Sequence, residues 1–348
     1  MFSFNSAFEA PSGSPIRELF KYLARPGMIS FAGGYPASDL FDRAGLDAAA
    51  ARASQQPTLC LQYGPTDGIA ILKEQLAQLM ARRGTPCAPT DLLVTTGSQQ
   101  GFDLLLRVMV APGDVVLVEQ PAYPATLQAL KLQQADVVTV PVDQHGLDVA
   151  KLAAVLETGT LRRAPKLLNT VPTFANPTGA TLSLERRIAL LKLAARYRFV
   201  IVEDDPYGDL RFDGTAVPSL FALSERVPGS RDWVVHLSSL SKIVAPGWSG
   251  ICRALCDALD THLARHIAFH RPAGGMFVWA RLNAARDASD YLRVCIEQNV
   301  MFVPGVAFYK DAADRAALRL SFAAPGVEEI ETGVHRMNRA LEQYCDEQ

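Results

Sequence analysis

Apolar residues along the chain fall into two kinds of run. Helical spacing marks residues 67–83 through Ile69, Leu72, Leu76, Leu79 and Met80, and it returns at 99–110 and 184–197. Between and beyond these lie short β-rich runs with few polar interruptions, at 92–95, 115–118, 137–140, 167–170, 199–203 and 233–237. Strands apolar at successive positions are buried on both faces. Their alternation with helices over 90–242 predicts an α/β fold, a mostly parallel sheet sandwiched by helices. Beyond residue 251 the pattern changes. A helix over 251–266 leads to Met276-Phe277-Val278-Trp279, a helix over 288–298, a short run at 300–303, a run at 318–322 and a final helix. That predicts a smaller α+β layer, on which residues 16–23 are expected to pack. The expected division is 1–40 as an N-terminal arm and part of the small domain, 41–250 as the large domain, and 251–348 as the small C-terminal domain.

The 348 residues, 49% of them hydrophobic, suffice for more than one core. A net charge of −2 gives neither the footprint of a nucleic-acid binder nor a polybasic membrane segment. No apolar run approaches the ~20 residues of a membrane span, and the first residues lack a signal peptide's basic and apolar regions. The expectation is a soluble, cytoplasmic protein. Six scattered cysteines then read as reduced thiols. His262, His266 and His270 share an i, i+4 spacing, but without an acidic partner they read as a solvated stripe rather than a metal site.

The polar residues that interrupt this pattern gather at strand ends. Lys242 closes Ser238-Ser239-Leu240-Ser241-Lys242 after one apolar run, and Asp204 and Tyr207 follow another. Residues 95–101 turn from strand into helix, offering N–H groups and hydroxyls suited to an anion. Residues 119–124 end their strand with Tyr123, and 174–179 form a polar turn carrying Asn176. Singly, each has a plain structural meaning: Ser98 caps a helix, Tyr123 packs in a core, Asn-Pro-Thr-Gly is a turn and Lys242 is surface charge. In an open α/β sheet, however, ligands bind at the carboxyl ends of the strands, so all of them are expected to share one crevice. A desolvated amine loses its proton and becomes a nucleophile. An acid can hold a pyridine nitrogen protonated, and hydroxyls can take a phosphate. The set suits a Schiff-base cofactor, pyridoxal 5'-phosphate.

Eight stretches in one order carry a resemblance over nearly the whole chain. They are residues 31–36 (Phe-Ala-Gly-Gly-Tyr-Pro), 61–68 (Leu-Gln-Tyr-Gly-Pro-Thr-Asp-Gly), 96–100, 176–179, 203–207 (Glu-Asp-Asp-Pro-Tyr), 239–242, 274–279 and 318–322. The chain resembles the class I/II aminotransferases, fold-type I pyridoxal-phosphate enzymes, above all the aminoadipate- and valine-pyruvate-like members and the enzyme half of MocR-type regulators. The resemblance implies transfer of an amino group between an amino acid and a 2-oxo acid. It gives Lys242 the Schiff base and the moving proton, and Asp204 the pyridinium nitrogen. Tyr207 and Asn176 take the ring hydroxylate, Tyr123 stacks on the ring, and Ser98, Gln99, Ser239 and Ser241 hold the phosphate. Arg319 clamps the substrate carboxylate, which Gly34 lets the backbone approach. Tyr63 reaches the phosphate of a neighbouring subunit, which implies a homodimer. Side-chain preference is expected to rest on residues 14–17, Tyr35 and the small domain.

One stretch departs from the family. An arginine for the phosphate is expected a few residues after the lysine, and Ser249 stands there, with Arg253 further on. Several dozen family residues are then absent, among them an antiparallel strand of the large sheet and the long helix that bridges the domains. The same scaffold also serves lyases and decarboxylases, and a chain shortened in this way also fits a non-catalytic relative that binds the cofactor weakly.

Overall fold

The computed structural model describes residue 8 and residues 15–243, 248–284, 286–311 and 313–346. Ser14 and residues 244–247, which belong to the expected specificity segment and to the shortened connection, lie outside them. The larger layer is a six-stranded sheet. It is built from β1 (Val115–Gln120), β2 (Asp136–Asp143), β3 (Leu167–Thr170), β4 (Val200–Asp205) and β5 (Val234–Ser238), with the short strand Gly146–Leu147 at one margin. The spatial order from that margin is β2, β1, β3, β4, β5. All pairs among these five are parallel, and only Gly146–Leu147 runs antiparallel.

The sheet is parallel because its strands are apolar on both faces. Leu117, Leu168 and Ile201 point to one side with Leu190, Leu191 and Ala194 of the helix α3 (Leu184–Tyr197). Val116, Val118, Leu167, Val200 and Val202 point to the other, against Phe102 and Leu106 of the helix α2 (Ser98–Met109). The helix α1 (Ala70–Arg82) precedes α2 and buries Ala77 and Met80. With all five strands parallel, their carboxyl ends share one edge, where the motifs that follow β1, β3, β4 and β5 lie.

The smaller layer begins with the helix α4 (Trp248–His262). Its sheet is antiparallel: β6 (Ile267–Phe269), β7 (Phe277–Leu282), β8 (Val303–Pro304) and β9 (Ala317–Ser321), in the order β8, β9, β7, β6. Helices α5 (Ala288–Glu297) and α6 (Val327–Asp346) cover it. Residues 16–23 form two short helices, and buried Leu19 joins the core of this layer, as the sequence suggested. Phe31 and Ala32 continue into the same core, which also takes in Phe174 and Tyr207 from the larger layer.

Residues 92–95 correct the sequence reading. They are not a strand. Leu92 is extended, and the Val94 N–H bonds Asp67 O at 3.1 Å, but the segment belongs to no ladder. A strand exists only beside another, and here a cavity of about 480 Å³ separates the segment from β5. Leu76, Met80, Leu92, Val94, Phe221 and Val234 line it. β5 is therefore an edge strand, without the flank that an interior strand would provide. Amide exchange of residues 92–95 is expected to run at least ~100-fold faster than that of Leu117 and Leu168. Equal protection, measured by mass spectrometry or NMR, would mean that the segment is laddered after all.

Candidate active site

Two cations without acids mark the edge where the layers meet. Lys242 follows β5, and its Nζ donates to the Gly34 carbonyl at 2.9 Å. Burial, and then the Arg319 charge, hold its ammonium below the usual lysine range. Arg319 sits in the middle of β9 and is only 2% exposed. Its guanidinium donates to Asn176 Oδ1 at 2.8 Å and to Ala32 O at 2.6 Å. It lies over the Phe277 and Phe308 rings, 4.2 and 5.0 Å from their centroids. Burial brings its pKa down to about 10, against the opposing influence of Tyr207 and Tyr123. Nε has no partner, and among the described residues no carboxylate pairs with either Arg319 or Lys242.

Facing them is an acid without a cation. Asp204, near the end of β4, is half-buried, and its Oδ1 is shut off from solvent without a hydrogen bond. Burial first, then the charge of Asp205, raise its pKa to about 7, while His236 opposes the shift. Tyr207 is buried nearby, bonds the Asn176 side chain and feels both Arg319 and Asp204. Burial drives its phenol up. Tyr123 caps the next helix and lies within electrostatic reach of Tyr207 and Arg319. Hydrogen bonds join Tyr207, Asn176 and Arg319 and, separately, Lys242 and Gly34, while Asp204 and Tyr123 lie within electrostatic reach of Tyr207, and Lys242 within reach of Arg319.

The anion-binding elements stand to one side. Gly97, at φ +88°, starts α2 in a conformation that side chains rarely adopt. It leaves the first N–H groups of a twelve-residue helix free, with Ser98 at their head. Ser239 Oγ donates to Ser241 Oγ at 2.9 Å and accepts from Ser241 N at 3.1 Å. Gly97, Ser239 and Ser241 border the same cavity that flanks β5. Gln99 is exposed on the first turn of α2. Tyr63 is 99% exposed and meets none of these residues within its own chain. Ser249 and Arg253 both lie exposed on α4.

Sequence reasoning missed the support beneath Asp204. Glu203 Oε2 meets His236 Nδ1 at 2.8 Å, and Glu203 accepts the N–H groups of Leu220 and Phe221 at 2.7 and 3.0 Å. Arg187 lies 3.8 Å from its other oxygen. Burial alone would raise the Glu203 pKa, but the His236 charge and hydrogen bond, with Arg187, bring it below the usual value. The signal was there, because β4 and β5 pair Glu203 directly with His236. It also missed Arg83, whose Nη1 donates to Ser238 Oγ at 2.9 Å and which pairs with Asp209.

This set fits pyridoxal 5'-phosphate on its own chemistry: an orphaned, enclosed carboxylate for a ring nitrogen, a desolvated lysine amine for an aldehyde, and a helix start with two hydroxyls for a phosphate.

The fold and site define a fold-type I pyridoxal-phosphate enzyme. The family model described as aminotransferase class I and II matches residues 29–252. A 2-aminoadipate transaminase of Thermus thermophilus is 34% identical, with 97% of each chain covered. An aromatic-amino-acid aminotransferase of Thermococcus litoralis is 33% identical, over 95% of this chain and 92% of its own. The crystal structure of an alpha-aminoadipate aminotransferase from Thermus thermophilus, complexed with N-(5'-phosphopyridoxyl)-L-leucine, superposes with a TM-score of 0.86. It is 33% identical and covers 99% of this chain and 98% of its own. The chain therefore belongs to the class I and II aminotransferases, and it is a pyridoxal-phosphate-dependent aminotransferase. The alignment with the 2-aminoadipate transaminase runs over 399 positions against 348 residues here, so the relative alone fills at least 51 of them.

The sign of the Asp204 shift makes a test. A carboxyl that titrates near 3.8 unfolded and near 7 folded holds more protons in the folded state, so its ionisation costs stability as pH rises between those values. Asp204→Asn is expected to raise the melting temperature of cofactor-free protein at pH 8, by up to about 4 kcal/mol of stability, and to leave it nearly unchanged at pH 4. It should also abolish turnover. An unshifted melting temperature at pH 8 would mean that the carboxylate is solvated or paired.

Proposed function

We propose that this chain moves an amino group between an α-amino acid and a 2-oxo acid with Lys242 as the reacting amine, Asp204 at the cofactor's ring nitrogen and Arg319 on the substrate's α-carboxylate. The buried Arg319 guanidinium, bonded only to neutral acceptors, carries this reading. A cation enclosed without an anion is costly, and a substrate carboxylate would compensate it in a two-pronged fashion that lysine could not match.

Pyridoxal 5'-phosphate, when bound, supplies an aldehyde to receive the amino group and a ring to accept the electron pair left at the substrate's Cα. The rest is the work of side chains. Asp204 keeps the ring nitrogen charged, because an acid whose ionisation is held back by burial and by Asp205 is stabilised by a cation beside it. Tyr207 and Asn176 offer hydrogen-bond partners to the ring oxygen, and Tyr123 offers a face for the ring. Ser98, Gln99, Ser239 and Ser241 hold the phosphate. Lys242 Nζ, whose lowered pKa leaves more of it neutral, takes the Cα proton and returns it across the C–N bond. Arg319 grips the carboxylate against departure, which favours amino transfer over decarboxylation on the same scaffold.

The relatives named for 2-aminoadipate and aromatic amino acids support long or aromatic substrates. So does a cavity of about 660 Å³ bordered by Phe20, Tyr35, Tyr123 and Tyr309. A homodimer is part of the reading: Leu61 and Tyr63, 76% and 99% exposed, suit a partner's surface, with Tyr63 at the neighbour's phosphate. A cytoplasmic location is part of it too. No helix among the described residues is long and apolar enough to cross a membrane.

Added pyridoxal 5'-phosphate should give a bound-cofactor absorbance band that disappears in Lys242→Ala. With amino acid and 2-oxoglutarate, glutamate and a new 2-oxo acid should form in equal amounts. Release of ammonia or CO2 without an acceptor would replace this reading with a lyase or decarboxylase, and no band at saturating cofactor would leave a non-catalytic relative. Arg319→Lys should raise KM for both substrates about 10–100-fold, from loss of a charged hydrogen bond. Unchanged KM values would place the carboxylate elsewhere.

A further inference from the structure

Away from the cleft, two packed helices bring three ligating side chains together. Glu331 and His335 lie one turn apart on α6, and His262 ends α4. Glu331 Oε1 accepts from His262 Nε2 at 2.8 Å and lies 3.4 Å from His335 Nε2. One ligand atom from each residue falls within 4.8 Å of the other two. The two imidazole rings stand 3.9 Å apart, centroid to centroid, at 44°. From the sequence, His262, His266 and His270 read as a solvated stripe without an acidic partner rather than a metal site. The fold instead gives His262 an acid and a second histidine from another helix.

We propose that His262, Glu331 and His335 form a zinc-binding site, with water in the fourth position. An ordinary ion pair accounts for one imidazole on a carboxylate. Two imidazoles converging on one carboxylate oxygen, with their rings 3.9 Å apart, form the three-donor arrangement that a metal ion takes. Zinc takes histidine nitrogen and carboxylate oxygen at about 2.0–2.2 Å, which sets neighbouring ligand atoms of a tetrahedron about 3.4 Å apart. Of the two contacts to Glu331, the 3.4 Å one matches that edge and the 2.8 Å one is shorter, so small side-chain rotations complete the set. The donors disfavour the hard ions: calcium and magnesium prefer all-oxygen shells, while two imidazoles suit zinc and its transition-metal neighbours. The scaffold is rigid, because Leu255 and Leu259 of α4 pack in one core with Ile330, Val334 and Met337 of α6. All three ligands retain solvent access, Glu331 and His335 with side chains 54% exposed, so the ion can enter. Bound zinc would pin the first helix after the shortened connection to the C-terminal helix, adding stability by mass action.

Tag-free full-length protein titrated with Co(II) is expected to show one equivalent of tight binding with visible d–d absorbance, displaced by Zn(II), and Zn(II) should raise the melting temperature. His262→Gln and His335→Gln should each weaken Zn(II) binding at least ~10-fold. Neither should alter amino transfer or the helical circular dichroism, since both side chains lie outside the cleft. No saturable Zn(II) binding by the unaltered chain at micromolar metal would overturn the proposal. So would undiminished binding in the double variant His262→Gln/Glu331→Gln, which would place the metal elsewhere, for example at the buried pair Cys252 and Cys256.

Discussion

A guanidinium enclosed by protein and held by two neutral acceptors sets the terms for the rest of this molecule. Arg319 comes from the antiparallel layer, Ala32 from the N-terminal arm and Asn176 from the turn after β3. Three distant parts of the chain are therefore fixed to one another by a single side chain. Removing either acceptor would leave a buried charge under-bonded, a fault on the order of several kcal/mol. The aromatic faces of Phe277 and Phe308 compensate part of the lost hydration without supplying an anion. With Lys242 close enough to feel its charge, the cleft holds two cations and, among the described residues, no acid partner for either. Such a site is arranged for anions that arrive from outside.

The carboxylates behind the cleft divide the opposite charge unequally. Glu203 is saturated by His236, two backbone N–H groups and Arg187, and it stays ionised despite burial. Glu119 bonds Thr170 Oγ1 and the Val171 N–H, but burial still raises it to about 7. Asp204 has the least help, with burial and Asp205 both against its ionisation. His236, pushed down by burial but raised further by Glu203 and the neighbouring aspartates, supplies positive charge beside Glu203, Asp204 and Asp205. The result is a strand end on which one acid anchors structure and its neighbour is left in need of a cation. That difference within a dipeptide is what a cofactor ring would use.

Much of this is legible in the sequence, for a physical reason. Parallel strands buried on both faces announce themselves as apolar runs, and the residues that break those runs must sit at the ends. The pattern alone therefore gathers Lys242, Asp204, Tyr207 and Asn176 into one crevice. Two features stay out of its reach because pairing is not local. Residues 92–95 have a strand's composition, yet a strand also needs a neighbour, and while the resemblance marks a strand of the large sheet as absent, the apolar pattern of 92–95 does not show that they would lose their place in the ladder with it. Glu203 and His236 are 33 positions apart, and they meet only because β4 and β5 lie in one register. Gly34 reads in the sequence as room for a close approach. Its carbonyl proves to be the contact for Lys242, although a Cβ there would still stand 2.9 Å from the Phe277 ring.

The shortened connection after Lys242 weakens one side of the site and spares the other. Asp204, Tyr207, Asn176 and Arg319 belong to β4, the turns after β3 and β4, and β9, and all but the half-buried Asp204 are enclosed within their layers. Ser239, Ser241 and Gly97 border the cavity beside the open edge of β5, where Arg83 reaches Ser238 and Ser249 offers no charge. The chemistry at Cα depends on the first group and the grip on a phosphate on the second. A missing charged hydrogen bond there amounts to ~1.5–3 kcal/mol, and because binding energy adds to stability by mass action, a higher cofactor concentration offsets it. An open sheet edge next to an apolar cavity is not offset in that way, since it affects the empty protein as much as the loaded one. The physical cost of the shortening therefore falls first on stability, then on cofactor affinity, and least on the reacting groups.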